Sequence, residues 1–178
     1  MIKQKNVTVL IRSIAQTGLM FALMVILMII EGIFPPIPSM PPGVKLGLSN
    51  VVIMFSLLFI GINRTALLVF LKVSFVFITR GATAFLLSLF GSFLSVLIMF
   101  LLLKLTRKGS VSFMLLSVSG AIAHNVGQLF GAFILLKSST VFFYFPILLI
   151  SGVIFGVISA TVLKVIMPHM SEIKKISL

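Results

Sequence analysis

Residues 83–105 read TAFLLSLFGSFLSVLIMFLLLKL, a run of 23 residues with one charged side chain, Lys104. About 20 apolar residues in a helix are enough to cross the hydrocarbon core of a bilayer. The same character extends over the 178-residue chain, in which 60% of residues are hydrophobic and 9% are charged. Soluble domains are about 25% charged. The sequence therefore predicts an integral membrane protein built from α-helices.

Breaks in the apolar pattern divide the chain into six predicted spans, which form one membrane domain covering residues 1–178. The spans are 11–34, 47–62, 64–79, 83–105, 111–136 and 142–167. Five prolines between residues 35 and 42 end the first span, because proline is not tolerated in a helix interior. The first apolar run is too long for a signal peptide and lacks a small-x-small cleavage site, so we expect it to be retained. We predict an all-α bundle of six transmembrane helices.

Lysine and arginine are distributed unequally between the two predicted faces of the bundle. One face collects Lys3, Lys5, Arg12, Arg64, Lys104, Arg107, Lys108, Lys164, Lys174 and Lys175, and the other collects Lys45, Arg80 and Lys137. Because cytoplasmic loops carry the excess of basic residues, we predict that both termini are cytoplasmic. The net charge of +12 then reflects topology. We expect no nucleic-acid partner, since the chain has no soluble domain with a basic, aromatic-rich patch.

Acidic residues are scarce, which limits the chemistry available to the chain. Glu31 and Glu172 are its only two carboxylates, and cysteine is absent. Carboxylate pairs, magnesium-binding aspartates, thiolate metal sites and a GxxxxGK[ST] phosphate loop therefore cannot be assembled from this sequence. We predict that the protein is not an enzyme, uses no cofactor or metal, and functions by binding.

Two charged residues, Glu31 and Lys72, fall within predicted spans. Charges inside the membrane are costly and usually face the bundle interior or an aqueous cavity. Under the predicted topology both residues lie in the outer half of the bilayer, so a Glu31–Lys72 ion pair is sterically possible. Three interpretations remain open: a buried ion pair that only neutralises itself, snorkelling of Lys72 to the interface, or a role in ligand binding.

The fifth predicted span carries a second polar group. His124 and Gln128 are four residues apart and Asn125 and Gln128 are three apart, so the three side chains can meet on a helix surface. Each could instead hydrogen-bond a neighbouring helix, as polar residues in membranes often do. The same alternative applies to Asn50, near the outer end of the second span.

Polar residues from separate spans converge on the predicted outer half of the bundle. The candidate substrate-binding residues are Lys45, Asn50, Lys72, Arg80, His124, Asn125 and Gln128. A cavity with a net positive charge and amide donors suits an anion such as a carboxylate or phosphate. The sequence therefore predicts capture of a small solute from outside.

Small residues four apart let membrane helices approach closely. Such pairs occur at Gly18 and Ala22, Gly91 and Ser95, Gly127 and Gly131, and Gly152 and Gly156, with Ala15 extending the first pair. Each pair can serve as a contact within the bundle or as an interface with a partner.

Three stretches carry a family resemblance: PGVKLGLSN at 42–50, SLFGSFLS at 88–95 and GAIAHNVGQ at 120–128. Together with the span pattern, they resemble the Gx transporter family, also labelled heptaprenyl diphosphate synthase component I, over residues 18–164. That family is similar to the substrate-binding S components of energy-coupling factor (ECF) transporters. These are six-helix proteins that bind vitamins or related solutes.

The resemblance implies partners and a location. An S component acts with a T-type membrane subunit and ATPases, and the stripe formed by Ala15, Gly18 and Ala22 is the implied docking site. The lipid bilayer of a bacterial cell membrane is the implied surrounding. The second label implies an alternative, a non-catalytic accessory in prenyl-lipid or quinone metabolism or in membrane electron transfer. A lateral opening lined by Phe85, Phe90 and Phe93 would favour that alternative.

Overall fold

The computed structural model describes residues 2–33, 47–106 and 111–176. These ranges contain five α-helices and no β-strand. The helices are α1 (Ile2–Ile33), α2 (Asn50–Phe59), α3 (Ile62–Leu105), α4 (Phe113–Leu136) and α5 (Phe145–Ile176), with a 3₁₀ helix (Ser139–Tyr144) before α5. The predicted all-α class is confirmed.

The exposed surface and the interior have the polarity expected of a membrane protein. Large apolar side chains such as Ile78 and Phe70 are exposed, whereas Lys72, His124 and Gln128 are buried. In a bilayer, apolar side chains on the outside of the bundle face the hydrocarbon chains of the lipid. Polar groups must find their hydrogen-bond partners inside the bundle. Stretches long and apolar enough to cross a membrane occur at Leu10–Ile33, Ile62–Leu105, Phe113–Leu136 and Ser139–Val165. The described helices therefore form a multi-pass membrane protein.

The longest helix, α3, is folded back on itself at Gly81. This residue has φ 80° and ψ −177°, a conformation essentially restricted to glycine. The Nζ of Lys72 lies 3.0 to 3.1 Å from two acceptors, one of which is the Oγ of Ser92. In a straight helix, 20 residues would separate these groups by about 30 Å. The third and fourth predicted spans are therefore the two arms of one helical hairpin, 62–80 and 82–105.

The second predicted span, 47–62, is much shorter in the structure. Leu48 and Ser49 form a turn, α2 has 10 residues, and Gly61 with φ 105° follows its end. Ten residues rise about 15 Å, roughly half the thickness of the hydrocarbon core. The predicted count of six complete spans is therefore not supported. Other bounds shift as well: α1 starts at Ile2 and α5 ends at Ile176, each about nine residues beyond the predicted span, whereas α4 starts at Phe113, close to the predicted position.

The predicted small-residue pairs mostly mark contacts inside the bundle. A Cβ at Gly127 of α4 would collide with the carbonyl oxygen of Phe90 in α3, and a Cβ at Gly156 of α5 would lie 2.6 Å from the Cα of Val118 in α4. These glycines allow α3, α4 and α5 to pack backbone against backbone. A Cβ at Gly18 of α1 would meet nothing within 4 Å.

Replacing Gly81 by alanine tests the hairpin. We expect Gly81→Ala to lower the unfolding free energy by about 1–3 kcal/mol, because the backbone at this position is accessible mainly to glycine. Thermal unfolding in detergent measures the effect. Gly18→Ala is the matched control and should change stability little, since its site is open. Equal stability of the two variants would contradict the turn at Gly81.

Candidate solute-binding cavity

A small polar cavity lies where α1, the turn before α2, both arms of α3 and α4 meet. Its volume is about 30 Å³. It is lined by Met28, Glu31, Gly47, Ser49, Lys72, Val76, Arg80, Ala84, Ser88, His124 and Gln128. The structure therefore brings Lys72, Arg80, His124 and Gln128 of the predicted site together, with Glu31 beside them. We call this site the polar cavity.

Lys72 is the buried cation of the polar cavity. Its side chain is 4% exposed, and its Nζ donates to the Oδ1 of Asn50 at 3.0 Å and to the Oγ of Ser92 at 3.1 Å. An ammonium has three N–H donors. These two bonds within the described part of the chain leave one donor for another acceptor. The interpretation in which Lys72 snorkels to the membrane interface does not apply, because the ammonium group is held inside the bundle.

Glu31 and Arg80 join α1 to the rest of the cavity wall. The buried carboxylate of Glu31 accepts a hydrogen bond from the backbone N–H of Gly47. The Nη2 of Arg80 donates to the carbonyl oxygen of Met28 at 3.0 Å. Both charges lie close enough to act electrostatically on Lys72. A direct Glu31–Lys72 ion pair remains a prediction, since the hydrogen bonds that hold Lys72 go to Asn50 and Ser92.

His124 and Gln128 form the α4 side of the polar cavity, one helical turn apart. Both are buried, and a Cβ at Gly91 in α3 would lie 2.8 to 2.9 Å from atoms of both side chains. Gly91 therefore makes room for the imidazole ring and the amide. Among the described residues, the Oε1 of Gln128 has no hydrogen-bond partner, and the Nδ1 of His124 has none of good geometry, although the imidazole interacts with the backbone of Gly91. Most buried polar atoms are paired, so these two need an explanation.

Two residues of the predicted site do not line the polar cavity, and a third is not among the described residues. Asn125 donates to the carbonyl oxygen of Leu148 at 2.8 Å and to the Oγ of Ser151 at 3.2 Å, so it links α4 to α5. Asn50 does not line the polar cavity, but its Oδ1 accepts a hydrogen bond from the Nζ of Lys72. Lys45 lies outside the described residues. The hydrogen bonds of Asn125 fit the alternative in which it bonds a neighbouring helix, and its part in solute binding stays a prediction.

Sequence reasoning missed the serines of the second arm of α3. Ser88 lines the polar cavity, Ser92 accepts from Lys72, and the buried Oγ of Ser95 has no partner in the described part of the chain. Ser95 and Asn50 line a second cavity of about 10 Å³. The spacing of four and three residues places the three hydroxyls on one helix face. That spacing is the sequence signal for these three serines.

Asn125 gives a prediction that separates packing from binding. We expect Asn125→Leu to lower the unfolding free energy by about 1–3 kcal/mol, because it removes two buried hydrogen bonds between α4 and α5. Thr161→Val is a suitable control, since Thr161 is exposed and bonds only within its own helix. Thermal melts of both variants measure the difference. Unchanged stability of Asn125→Leu, with loss of bound solute, would contradict the structural role.

The predicted docking stripe on α1 is accessible. Ala15, Gly18 and Ala22 are all exposed in the structure, and they lie on a helix whose surface is largely apolar. Phe85 and Phe90 are not among the residues that line the polar cavity. They pack edge-on against Phe77 and Phe130, respectively.

Fold and site together define a class: an all-helical, multi-pass membrane protein with a buried polar cavity that combines cations, an imidazole and an amide. A family model described as heptaprenyl diphosphate synthase component I matches residues 20–166. The chain belongs to this family, and the resemblance predicted over residues 18–164 is confirmed. No curated protein and no solved structure matches the chain significantly.

Proposed function

We propose that this protein is the solute-binding membrane subunit of an ECF-like importer and that it captures a small anionic solute in the polar cavity. One observation carries the proposal: His124 and Gln128, each with a buried polar atom that has no hydrogen-bond partner among the described residues, line the same cavity as Lys72, which has a further N–H donor. A buried polar atom left unpaired costs about 1–3 kcal/mol. A solute that pairs with these atoms removes this cost.

The charges of the cavity indicate the chemistry of the solute. Lys72 and Arg80 against Glu31 leave the described lining with one excess positive charge. A carboxylate or phosphate would accept from the ammonium and guanidinium. The amide oxygen of Gln128 accepts only, so a hydroxyl or N–H on the solute is the matching group. Small vitamin-like acids combine these features.

The size of the cavity requires it to open when a solute binds. Its 30 Å³ correspond to about one water molecule in the liquid. The wall formed by α1 is held by the Glu31–Gly47 and Arg80–Met28 hydrogen bonds. Breaking these bonds would let the end of α1 move away from the α3 hairpin. We infer that the cavity then opens toward the outer face, with both termini in the cytoplasm of a bacterial cell.

The importer role adds partners. We infer that the exposed stripe of Ala15, Gly18 and Ala22 contacts a T-type membrane subunit, which couples to ATPases. Protein purified gently from its native membrane should therefore carry a small anionic molecule and co-purify with such subunits. Mass spectrometry detects both. Wild-type protein that carries neither ligand nor partner under these conditions would contradict the proposal.

Gln128 distinguishes a binding role from a structural one. We expect Gln128→Met to leave the ligand-free protein equally or more stable, by up to about 1 kcal/mol, because it removes a buried amide oxygen that has no partner among the described residues. The same change should remove most of the co-purified solute. Melting temperatures and solute content per protein measure the two effects. A destabilised variant that keeps its solute would contradict the assignment of Gln128 to the site.

The alternative, an accessory in prenyl-lipid or quinone metabolism or electron transfer, is supported by the family description. This alternative predicts a lateral entrance at Phe85, Phe90 and Phe93. These residues line neither the polar cavity nor the second cavity. A prenyl lipid as the main co-purified molecule would favour this alternative over the importer.

A further inference from the structure

A wide apolar groove lies at the end of the bundle opposite the Gly81 turn. Its volume is about 1140 Å³, far larger than that of the polar cavity. The end of α2, the start of the first arm of α3 and the end of the second arm line it, for example through Phe59, Ile62 and Phe100. The first turn of α4 and the later part of α5 complete the wall.

The lengths of the helices explain why this space is open. The second arm of α3, 82–105, extends past the start of the first arm, 62–80, by about five residues, or roughly 7 Å. Because α2 has only 10 residues, no protein segment among the described residues fills the space beside that overhang. Phe59 and Met114, which line the groove, are 49% and 44% exposed. In a membrane, hydrocarbon must cover such a surface.

The rim of the groove is cationic. Lys104 of α3 and Lys164 of α5 both line it, and none of the described lining residues is acidic. Ser112, the N-cap of α4, is also part of the lining, so the positive end of the α4 dipole adds to the potential there. An apolar groove with two ammonium groups at its rim suits an amphipathic molecule in which hydrocarbon chains are joined to a phosphate.

We propose that this groove is a binding site for an anionic membrane phospholipid. The acyl chains lie against Phe59, Ile62 and Phe100, and the phosphate is held between Lys104 and Lys164. The lipid occupies the volume that a full-length second span would fill. The site is separate from the polar cavity and does not depend on the importer role.

Titration of the purified protein in detergent with phosphatidylglycerol, monitored by native mass spectrometry and thermal melting, tests this site. We expect phosphatidylglycerol to bind and raise the melting temperature, and phosphatidylcholine with the same acyl chains to do so much less. The double change Lys104→Met and Lys164→Met should weaken phosphatidylglycerol binding roughly ten- to thirtyfold. Lys137→Met, at an exposed lysine outside the groove lining, should bind like the wild type.

Each other outcome argues against the site. Equal binding of the two phospholipids, or an unchanged double variant, would overturn the phospholipid assignment. Stronger binding of farnesyl diphosphate than of phosphatidylglycerol would also overturn it and would assign the groove to a prenyl diphosphate. We expect the double variant to retain its co-purified solute, because the groove and the polar cavity are separate sites. A negative result for the phospholipid therefore leaves the solute site to be tested by the variants of the polar cavity.

Discussion

Lys72→Met is expected to abolish solute retention and to lower stability at the same time. Loss of a hydrogen bond to a charged group costs about 1.5–3 kcal/mol, which corresponds to a ten- to hundredfold loss of affinity. The change also strands the acceptors Asn50 Oδ1 and Ser92 Oγ, which Lys72 holds at 3.0 and 3.1 Å. Solute content by mass spectrometry and thermal melts measure the two effects. Lys137→Met, at an exposed position, is the control for loss of a lysine charge.

The double variant Lys72→Met with Glu31→Gln separates two roles of this lysine. If Lys72 only neutralised Glu31, the second change would restore stability, because no buried carboxylate would remain unpaired. Solute would then be retained in both variants. We expect the double variant to recover part of the stability but none of the solute. Wild-type solute content in the single variant would refute a binding role for Lys72.

Gly127→Val is expected to have the largest effect on the fold. A Cβ at Gly127 would collide with the backbone carbonyl of Phe90 and lie 2.8 Å from the Cα of Gly91. Backbone atoms cannot rotate away, so α3 and α4 must separate, at a cost of about 3 kcal/mol. His124 and Gln128 lie on α4 and contact Gly91, so solute retention should fall as well.

Gly18→Val is the matched control for this steric change. Gly18 is also a helical glycine, but a Cβ there would meet nothing within 4 Å. The control should unfold at nearly the wild-type temperature in detergent. A Gly127→Val protein as stable as the Gly18→Val protein would contradict the close packing of α3 against α4.

The sequence predicted the class of fold well because membrane helices are decided by long apolar runs. The length of α2 was the main error. The apolar run 47–62 is nearly uninterrupted, but Leu48 and Ser49 lie in a turn and Gly61 adopts a positive φ. Apolar character alone does not show where a helix begins inside such a run. The fold-back at Gly81 was predicted as a break, because a charged residue and a glycine follow one another there.

Part of the polar cavity could also be predicted. Lys72, His124 and Gln128 are polar residues in apolar spans, and the structure brings them together. Asn125 was assigned to the same site because it is three residues from Gln128. It is also adjacent to His124, about 100° around the helix, and its side chain bonds to α5. Spacing defines helix faces, but only the packing of neighbouring helices decides which face lines a cavity.

The central claim is that the polar cavity holds an anionic solute, and an experimental structure of the protein with its co-purified ligand tests it most directly. We expect the ligand within hydrogen-bond distance of the Nζ of Lys72 and of the side chains of His124 and Gln128, with the end of α1 moved outward. A solute bound only in the groove beside Lys104 and Lys164, with the polar cavity closed around water, would contradict the account.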